Sequence, residues 1–486
     1  MVKAEIHLMI PSIGGSSMAS ALHPPTTGPG PRLKGRVQRI WQDGSGWFDS
    51  HTRIVLAAIL LLALVFGAYR FIQLEVYAES NTANALPPLV WNLAHGNGYV
   101  ACYPRYFPFC SAMNNATAAR EPVPSLLFAA IAVLARESVT AAYLTGVVIN
   151  LLILCGVFAL CRALANERVA LLASLLWALY VPALDLVREM SGDLLAALGV
   201  VWGIFFLIRA QETNTGRAWL AAGICLALGA LSRSAVSVLV PVLSIGLLVA
   251  PASNPSRSLR GILERARPVL FFVGAFLLVM LPWIVRNQVT FGRPVLGSTL
   301  TGYNLYRQNY MLSSDNYLRY VYTDEADRAI RALLARRTDL QGTESEAQVD
   351  AVYREEALSV IRAHPLRYLS LSAYRAVMLW LDWRVDERMG NQLSTRQVFS
   401  MLEQLLLLSA AIVGLIATWR RSWVLGVCLI AYSLLHMAVA SRMVFIVPVM
   451  PLCVVLAAIG FAQLARALSK RLRAARLTMR RFDLGC

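Results

Sequence analysis

Apolar runs of about bilayer length recur along most of the chain, and no other feature restricts its fold as strongly. Roughly 20 consecutive apolar residues cross the hydrocarbon core as a helix, because inside lipid the backbone must satisfy its own hydrogen bonds. The runs predict helices at 54–72, 139–163, 168–186, 190–209, 217–233, 236–252, 268–287, 397–418, 422–440 and 443–466. The chain is 57% hydrophobic and 15% charged, which rules out an ordinary water-soluble domain. The fold class expected is an all-α integral membrane protein, a polytopic bundle of about 10–12 transmembrane helices with interfacial helices and a mainly helical capping loop.

Arginines and lysines set the expected orientation, since cytoplasmic loops collect them. Arg162 and Arg168, Arg209 and Arg217, the group Arg257, Arg260, Arg265 and Arg267, the pair Arg420 and Arg421, and the tail from Lys470 to Arg481 all fall on one side. This holds if 123–136, which is short, and 366–383, which carries Arg375 in mid-run, lie at the interface of the outer face. Two additional spans are the alternative. The expected organisation is a largely disordered cytoplasmic tail at 1–53 and a transmembrane module at 54–287 that includes an outer loop at 73–138. An outer capping segment at 288–396, closing helices at 397–468 and a basic cytoplasmic tail at 469–486 follow. The N-terminus lacks the charged, apolar, cleavable order of a signal peptide, so the first span is expected to stay as an anchor.

The formal net charge of +17 does not point to nucleic acid. The cations sit beside apolar spans and form no stripe interleaved with aromatics. Only three are lysines, Lys3, Lys34 and Lys470. Five cysteines lie in apolar runs, where a thiol behaves as a small hydrophobe. Cys102 and Cys110 flank YPRYFPF in the outer loop, where either a disulfide or two free thiols fits. The sequence holds no phosphate-binding glycine loop, no HExxH and no spacing of its six histidines that suits a metal; His95 and His436 read as local hydrogen-bonding residues. No cofactor and no metal ligand set is assigned, and a divalent-metal requirement stays open.

Under this topology several charged groups reach one face. The first outer loop supplies Glu75, Glu79, Arg120 and Glu121, and the turn near 185–193 supplies Asp185, Arg188, Glu189 and Asp193. Arg233 ends one span, Arg286 and Asn287 end the run VMLPWIVRN, and Arg442 precedes the last span. Arginine is costly near lipid, so a phosphate or carboxylate partner is its default explanation. Carboxylates among arginines suit one task in particular. The cations hold a lipid-linked phosphate, and a carboxylate takes the proton of an attacking hydroxyl. Structural ion pairs at a headgroup boundary are the competing reading.

Several segments resemble membrane glycosyltransferases of the GT-C type, specifically the family 39 group of protein mannosyltransferases, related to the aminoarabinose transferases. TAAREPVPSLLF is similar to that group's TA-R-P-P loop, LALGALSRSAVSVLVPV to its G-L-x-x-L-T-R-P segment, and PWIVRNQVTFGRPVLGSTLTGYNLYRQN to its P-W-x-x-R-N with trailing F-G and G-x-N-L. SRMVFIVPVMPL looks like its final R-x-x-x-P-x-x-P helix, and NLAHGNGY like the run that follows its first acidic motif. The matches keep family order over about 54–466.

The resemblance implies a GT-C-like bundle and a polyprenyl-phosphate-sugar donor. It also implies inversion at the sugar, a lipid, glycan or protein acceptor, and an active site facing the periplasm across a bacterial inner membrane. It implies Glu79 as general base, with Glu75 behind it, although the family places an Asp there at a different spacing. Asp193, with Glu189 competing, would be the second acidic residue. Arg120, Arg233, Arg286 and Arg442 would contact the donor phosphate. Glu121, which departs from the family's proline, and Asn287, Tyr303, Asn304 and Gln308 are lesser contact candidates. A lipid-linked glycan flippase or transporter, or a non-catalytic relative that binds lipid phosphate, are the alternatives.

Overall fold

The computed structural model describes residues 34–76, 86–110, 115–190, 192–249, 259–320, 325–381 and 395–482. The regular structure in this range is helical, with one isolated bridge between Val100 and Ala116 and no strand among the described residues. In chain order the helices are α1 (Lys34–Val76), α2 (Pro88–Ala94), α3 (Pro122–Leu134), α4 (Val139–Leu164), α5 (Glu167–Leu179), α6 (Val181–Asp185), α7 (Gly192–Thr213), α8 (Gly216–Ala230) and α9 (Leu239–Val249). They continue with α10 (Leu259–Phe291), α11 (Thr301–Arg307), α12 (Glu325–Arg336), α13 (Glu346–Ala363), α14 (Pro365–Leu381), α15 (Thr395–Val439) and α16 (Met450–Phe482). The segment expected to be a disordered tail lies outside the described residues up to 33, while α1 begins at Lys34.

Among the described residues six helical stretches have the length and apolarity of a full crossing, and α5 with α6 makes a seventh if that pair, bent by 48°, counts as one span. Each of the ten runs expected from the sequence is helical over most of its described residues. The remaining apolar helices, Gly216–Ala230, Ser234–Val249 and Pro122–Leu134, are shorter. The 45-residue α15 leaves helical geometry at Thr418. There it doubles back, because a Cβ on Gly426 would lie 2.9 Å from the Leu415 side chain, whereas eleven residues of straight helix separate two positions by about 16 Å. The expected pair 397–418 and 422–440 is therefore one antiparallel hairpin, with the exposed Arg420 and Arg421 at its turn.

The stretch Met443–Leu472 is the most enclosed of the spans and His51–Arg70 the most peripheral. Close backbone approach binds α16 to α15: a Cβ on Gly414 would meet the Leu456 carbonyl at 2.0 Å, and one on Gly460 would meet that of Ala410 at 1.9 Å. Small residues at such crossings let helices gain packing contacts in lipid, where apolar surface has no water to escape. The capping segment has a core of its own in which Leu300, Tyr303, Tyr306, Ile330, Leu333, Val349 and Tyr353 pack with Phe107 of the first loop.

The sequence places α14 at the interface but gives no sign of what Arg375 does there. Arg375 is 1% exposed. Its guanidinium donates to the carbonyls of Met437 at 3.2 Å, Ala438 at 3.3 Å and Gln308, and to Asn309 Oδ1 at 3.1 Å. Ser441 Oγ donates in return to the Arg375 carbonyl at 2.7 Å. This cation fixes the end of α15 against the capping segment and sets where Arg442 begins.

Candidate functional site at the charged end of the bundle

Polar residues at the starts of α3 and α7 and just beyond the end of α8 come together at one end of the bundle. Gly192 opens α7 against the backbone of Ser232, whose carbonyl a Cβ would strike at 1.7 Å, so glycine is required for the approach. Asp193 follows in the first turn of α7, where the helix dipole favours an anion. It is 5% exposed and pairs with Arg233 Nη1 at 2.7 Å. The Arg233 guanidinium also lies 4.4 Å from the Phe445 ring centroid and within electrostatic reach of the buried Tyr432. Burial of both charges is sustained by their pairing; deleting one partner of such a pair strands the other.

Glu189 stands in the turn just before α7 and is exposed to solvent. Desolvation by the surrounding protein raises its pKa and the Asp193 charge adds to this, while Arg442 and Arg233 pull it back. A solvent-reachable carboxyl with a raised pKa is suited to proton transfer. Arg442, also exposed, thus shares an electrostatic neighbourhood with Glu189, Asp193 and Arg233. Asp185 pairs with Arg70 of α1, and Arg188 lies 5.3 Å from the Tyr143 ring, so this part of the turn is tied to its neighbours.

The other half of the site is the strip 117–121, which is pinned along its length. Arg286 Nη1 donates to the Thr117 carbonyl at 2.8 Å. The Ala118 amide donates to Glu346 Oε2 at 2.8 Å, and the Ala118 carbonyl accepts from the Thr299 amide at 2.9 Å. Tyr99 Oη donates to the Arg120 carbonyl at 2.9 Å, and Glu121 Oε1 accepts from the Ser234 amide at 3.1 Å and hydroxyl at 3.0 Å. The last of these contacts joins the strip to the residue next to Arg233, so the two halves are continuous. Arg120 is an exposed residue on this fixed backbone, with its guanidinium in side-chain hydrogen-bonding contact with Tyr103 and Tyr106. Among the described residues it forms no ion pair, while Tyr103 and Tyr106 lie 5.6 Å and 5.8 Å from its guanidinium carbon.

Arg286 and Asn287 stand elsewhere in this arrangement. Arg286 also donates to Asn287 Oδ1 at 2.9 Å and to the Tyr99 carbonyl at 3.1 Å, and it lies over the rings of Tyr99, Trp283 and Phe291. Asn287 is fully buried, and its amide donates to the Val295 carbonyl at 2.9 Å. These two residues tie α10 to the first loop, with their polar atoms already engaged by protein.

Of the remaining candidates, Glu79 lies outside the described residues, and Glu75 falls in the last turn of α1 with its side chain undescribed. Tyr303 packs inside the capping core against Tyr106 at 4.9 Å and Tyr353 at 5.6 Å. Gln308 is buried at the Arg375 junction, and Asn304 is half-buried on α11. The structure does not bring these three into the Asp193–Arg233 group. Cys102 and Cys110 are joined by a disulfide. No group of three His, Cys, Asp or Glu suited to a metal ion occurs among the described residues. Sequence reasoning missed Glu346, Ser234, Phe445 and Tyr432. Only the capping pattern SEAQ hinted at a helix start at Glu346, and its long-range partners had no local signal.

Fold and site together define a multi-pass membrane protein with a mixed carboxylate and arginine cluster at one end of its helices. Residues 119–285, less than half of the chain, match the family model described as dolichyl-phosphate-mannose-protein mannosyltransferase. That segment runs from the pinned strip through α10 and makes the chain similar to the family 39, GT-C type of protein. No curated protein sequence matches the chain.

Solved structures to which the chain is similar over part of their length include three membrane glycosyl- and oligosaccharyltransferases. The archaeal oligosaccharyltransferase AglB from Archaeoglobus fulgidus, solved with an inhibitory peptide and a dolichol-phosphate, is 15% identical; the match covers 87% of this chain and 52% of that one, with a TM-score of 0.48. ArnT from Cupriavidus metallidurans in the apo state is 14% identical over 86% of this chain and 78% of that one, with a TM-score of 0.36. The protein O-mannosyltransferase Pmt1-Pmt2 complex of S. cerevisiae, bound to its sugar donor, is 15% identical over 55% of this chain and 37% of that one, with a TM-score of 0.36. The chain thus spans about half the length of AglB. Overlaps of this quality give no residue equivalences.

Proposed function

We propose that the chain is a membrane glycosyltransferase that moves one sugar from a polyprenyl phosphate carrier to a hydroxyl or phosphate of a lipid, glycan or protein acceptor, with inversion. In this reading the charged end of the bundle faces the periplasm across a bacterial inner membrane. The observation that carries it is Arg120, an exposed cation on a pinned strip that is joined through Glu121 and Ser234 to the Asp193–Arg233 pair and its neighbour Glu189, whose pKa is raised. The family match over 119–285 supports the same chemistry.

The acceptor oxygen attacks the anomeric carbon from the face opposite the carrier. As the new C–O bond forms, the bond from that carbon to the phosphate oxygen breaks, and its electron pair stays on the phosphate. Arg120 and Arg442 hold that phosphate, and Arg233, kept in place by Asp193, adds positive potential behind it. Charge developing on the leaving group in a water-poor setting is what such fixed cations stabilise best. Glu79 takes the acceptor's proton in this scheme, with Glu75 behind it, while Asp193 or Glu189 orients acceptor or sugar. Arg286 and Asn287 serve by holding Thr117 and the 292–300 turn, a positioning role.

The test is transfer of radiolabel from polyprenyl-phosphate sugars to a new covalent product by the full chain in lipid nanodiscs. Arg120→Met and Glu79→Gln variants, inserted at wild-type levels, are expected to lose about a hundredfold or more of that transfer. Full activity in both, or movement of the carrier between leaflets with no covalent product, would overturn the proposal.

A further inference from the structure

Arg120 is exposed, and a free arginine samples many rotamers, so something must aim it if it is to meet a phosphate efficiently. The structure supplies a candidate in the nine-residue loop 102–110. The disulfide closes this loop at its base. Pro104 and Pro108 restrict the backbone between, and the Tyr106 and Phe107 amides both donate to the Tyr103 carbonyl, each at 2.9 Å. On its far side the loop is anchored to the capping core: Phe107 is 2% exposed, Tyr353 Oη donates to the Tyr106 carbonyl at 3.1 Å, and Tyr106 meets the Tyr303 ring edge-on at 4.9 Å. On its near side Tyr103 and Tyr106 present their rings to the Arg120 guanidinium. Both tyrosines bear electrostatically on that cation.

We propose that the disulfide-closed loop is a positioning element for the donor phosphate, with Tyr103 and Tyr106 holding the Arg120 guanidinium toward the anion. This rests on the reading of Arg120 as a phosphate ligand. Neither tyrosine touches the reacting atoms; each acts through Arg120. The loop also couples phosphate binding to the capping segment, because the same Tyr106 that backs Arg120 is packed on Tyr303 of α11.

The experiment measures binding of farnesyl phosphate and of farnesol to the full chain in detergent, by native mass spectrometry. Wild type is expected to bind the phosphate more tightly than the alcohol. The double variants Tyr103→Leu with Tyr106→Leu, and Cys102→Ser with Cys110→Ser, are expected to weaken phosphate binding about threefold to tenfold and to leave farnesol binding unchanged. Tyr103→Phe with Tyr106→Phe keeps the rings but removes the hydroxyls that hydrogen-bond the guanidinium, and is expected to fall between wild type and the leucine variant. Wild-type phosphate binding in the leucine and serine variants, with Arg120→Met defective, overturns the role of the loop alone. Equal losses for phosphate and alcohol also overturn it, since that pattern marks general misfolding. Phosphate preference that survives Arg120→Met overturns the phosphate reading of Arg120 and the loop's role with it.

Discussion

Arg233 and Asp193 sit at opposite ends of a 2.7 Å contact with little access to water, so neither charge can be removed alone without penalty. Asp193→Asn and Arg233→Met are each expected to destabilise the protein by about 3–5 kcal/mol. The double variant should cost clearly less than the sum, as measured by thermal unfolding in detergent. Glu189 carries a different expectation. Its folded pKa is raised, chiefly by desolvation and then by Asp193, so its carboxylate form appears only as pH climbs past the ordinary glutamate range. If the charged form orients the acceptor, transfer should rise with pH through that raised value, and Glu189→Gln should abolish this limb in a pH–rate profile. The sequence shows that these residues are charged and adjacent to spans. It does not show which cations are already engaged. Arg286 and Arg120 both read as phosphate contacts in the sequence, yet three protein acceptors and three aromatic rings surround Arg286, whereas Arg120 is exposed.

At the scale of elements, the capping segment is held by carboxylates of α13. Asp350 Oδ1 accepts from the Tyr303 amide at 2.9 Å at the start of α11, and Glu346 bridges Ala118 and Thr299. Desolvation raises the Asp350 pKa from 3.8 to about 6, against the pull of the α11 amides. A carboxyl whose folded pKa is raised favours folding while protonated, so its contribution is complete below the ordinary aspartate pKa and is lost as pH rises through about 6. Asp350→Asn keeps an acceptor for the Tyr303 amide and removes the charge. It is expected to stabilise the docking of α11 on α13 by about 1–3 kcal/mol at neutral pH and to flatten its pH dependence, read by hydrogen exchange. In the bundle, Gly414→Ala should loosen α15 from α16, since its Cβ meets the Leu456 carbonyl at 2.0 Å, and lower the thermal midpoint by several degrees. Helix existence was legible because apolar length and helical period report it directly. The reversal at Thr418 was also legible, from the arginine pair beside it, while the burial of Arg375 was not, since its partners are main-chain carbonyls from distant segments.

Across the whole molecule, the convergence of α3, α7, α8 and α15 on one charged end follows from the alternation of spans, which the arginine distribution makes readable. What the sequence cannot convey is how Glu346, Arg286, Tyr99 and Ser234, from four separate stretches, fix one five-residue strip and leave a single arginine outward. That is a property of tertiary packing, with no periodicity to betray it. If this arrangement serves sugar transfer, the consequence appears outside the protein as well as within it. Mass spectrometry of membrane lipids and envelope glycans, comparing cells with wild-type protein and cells with Arg120→Met at equal membrane levels, tests this most directly. The predicted result is that the variant accumulates one polyprenyl-phosphate sugar and one acceptor lacking that sugar. Identical lipid and glycan profiles in the two cells would contradict it.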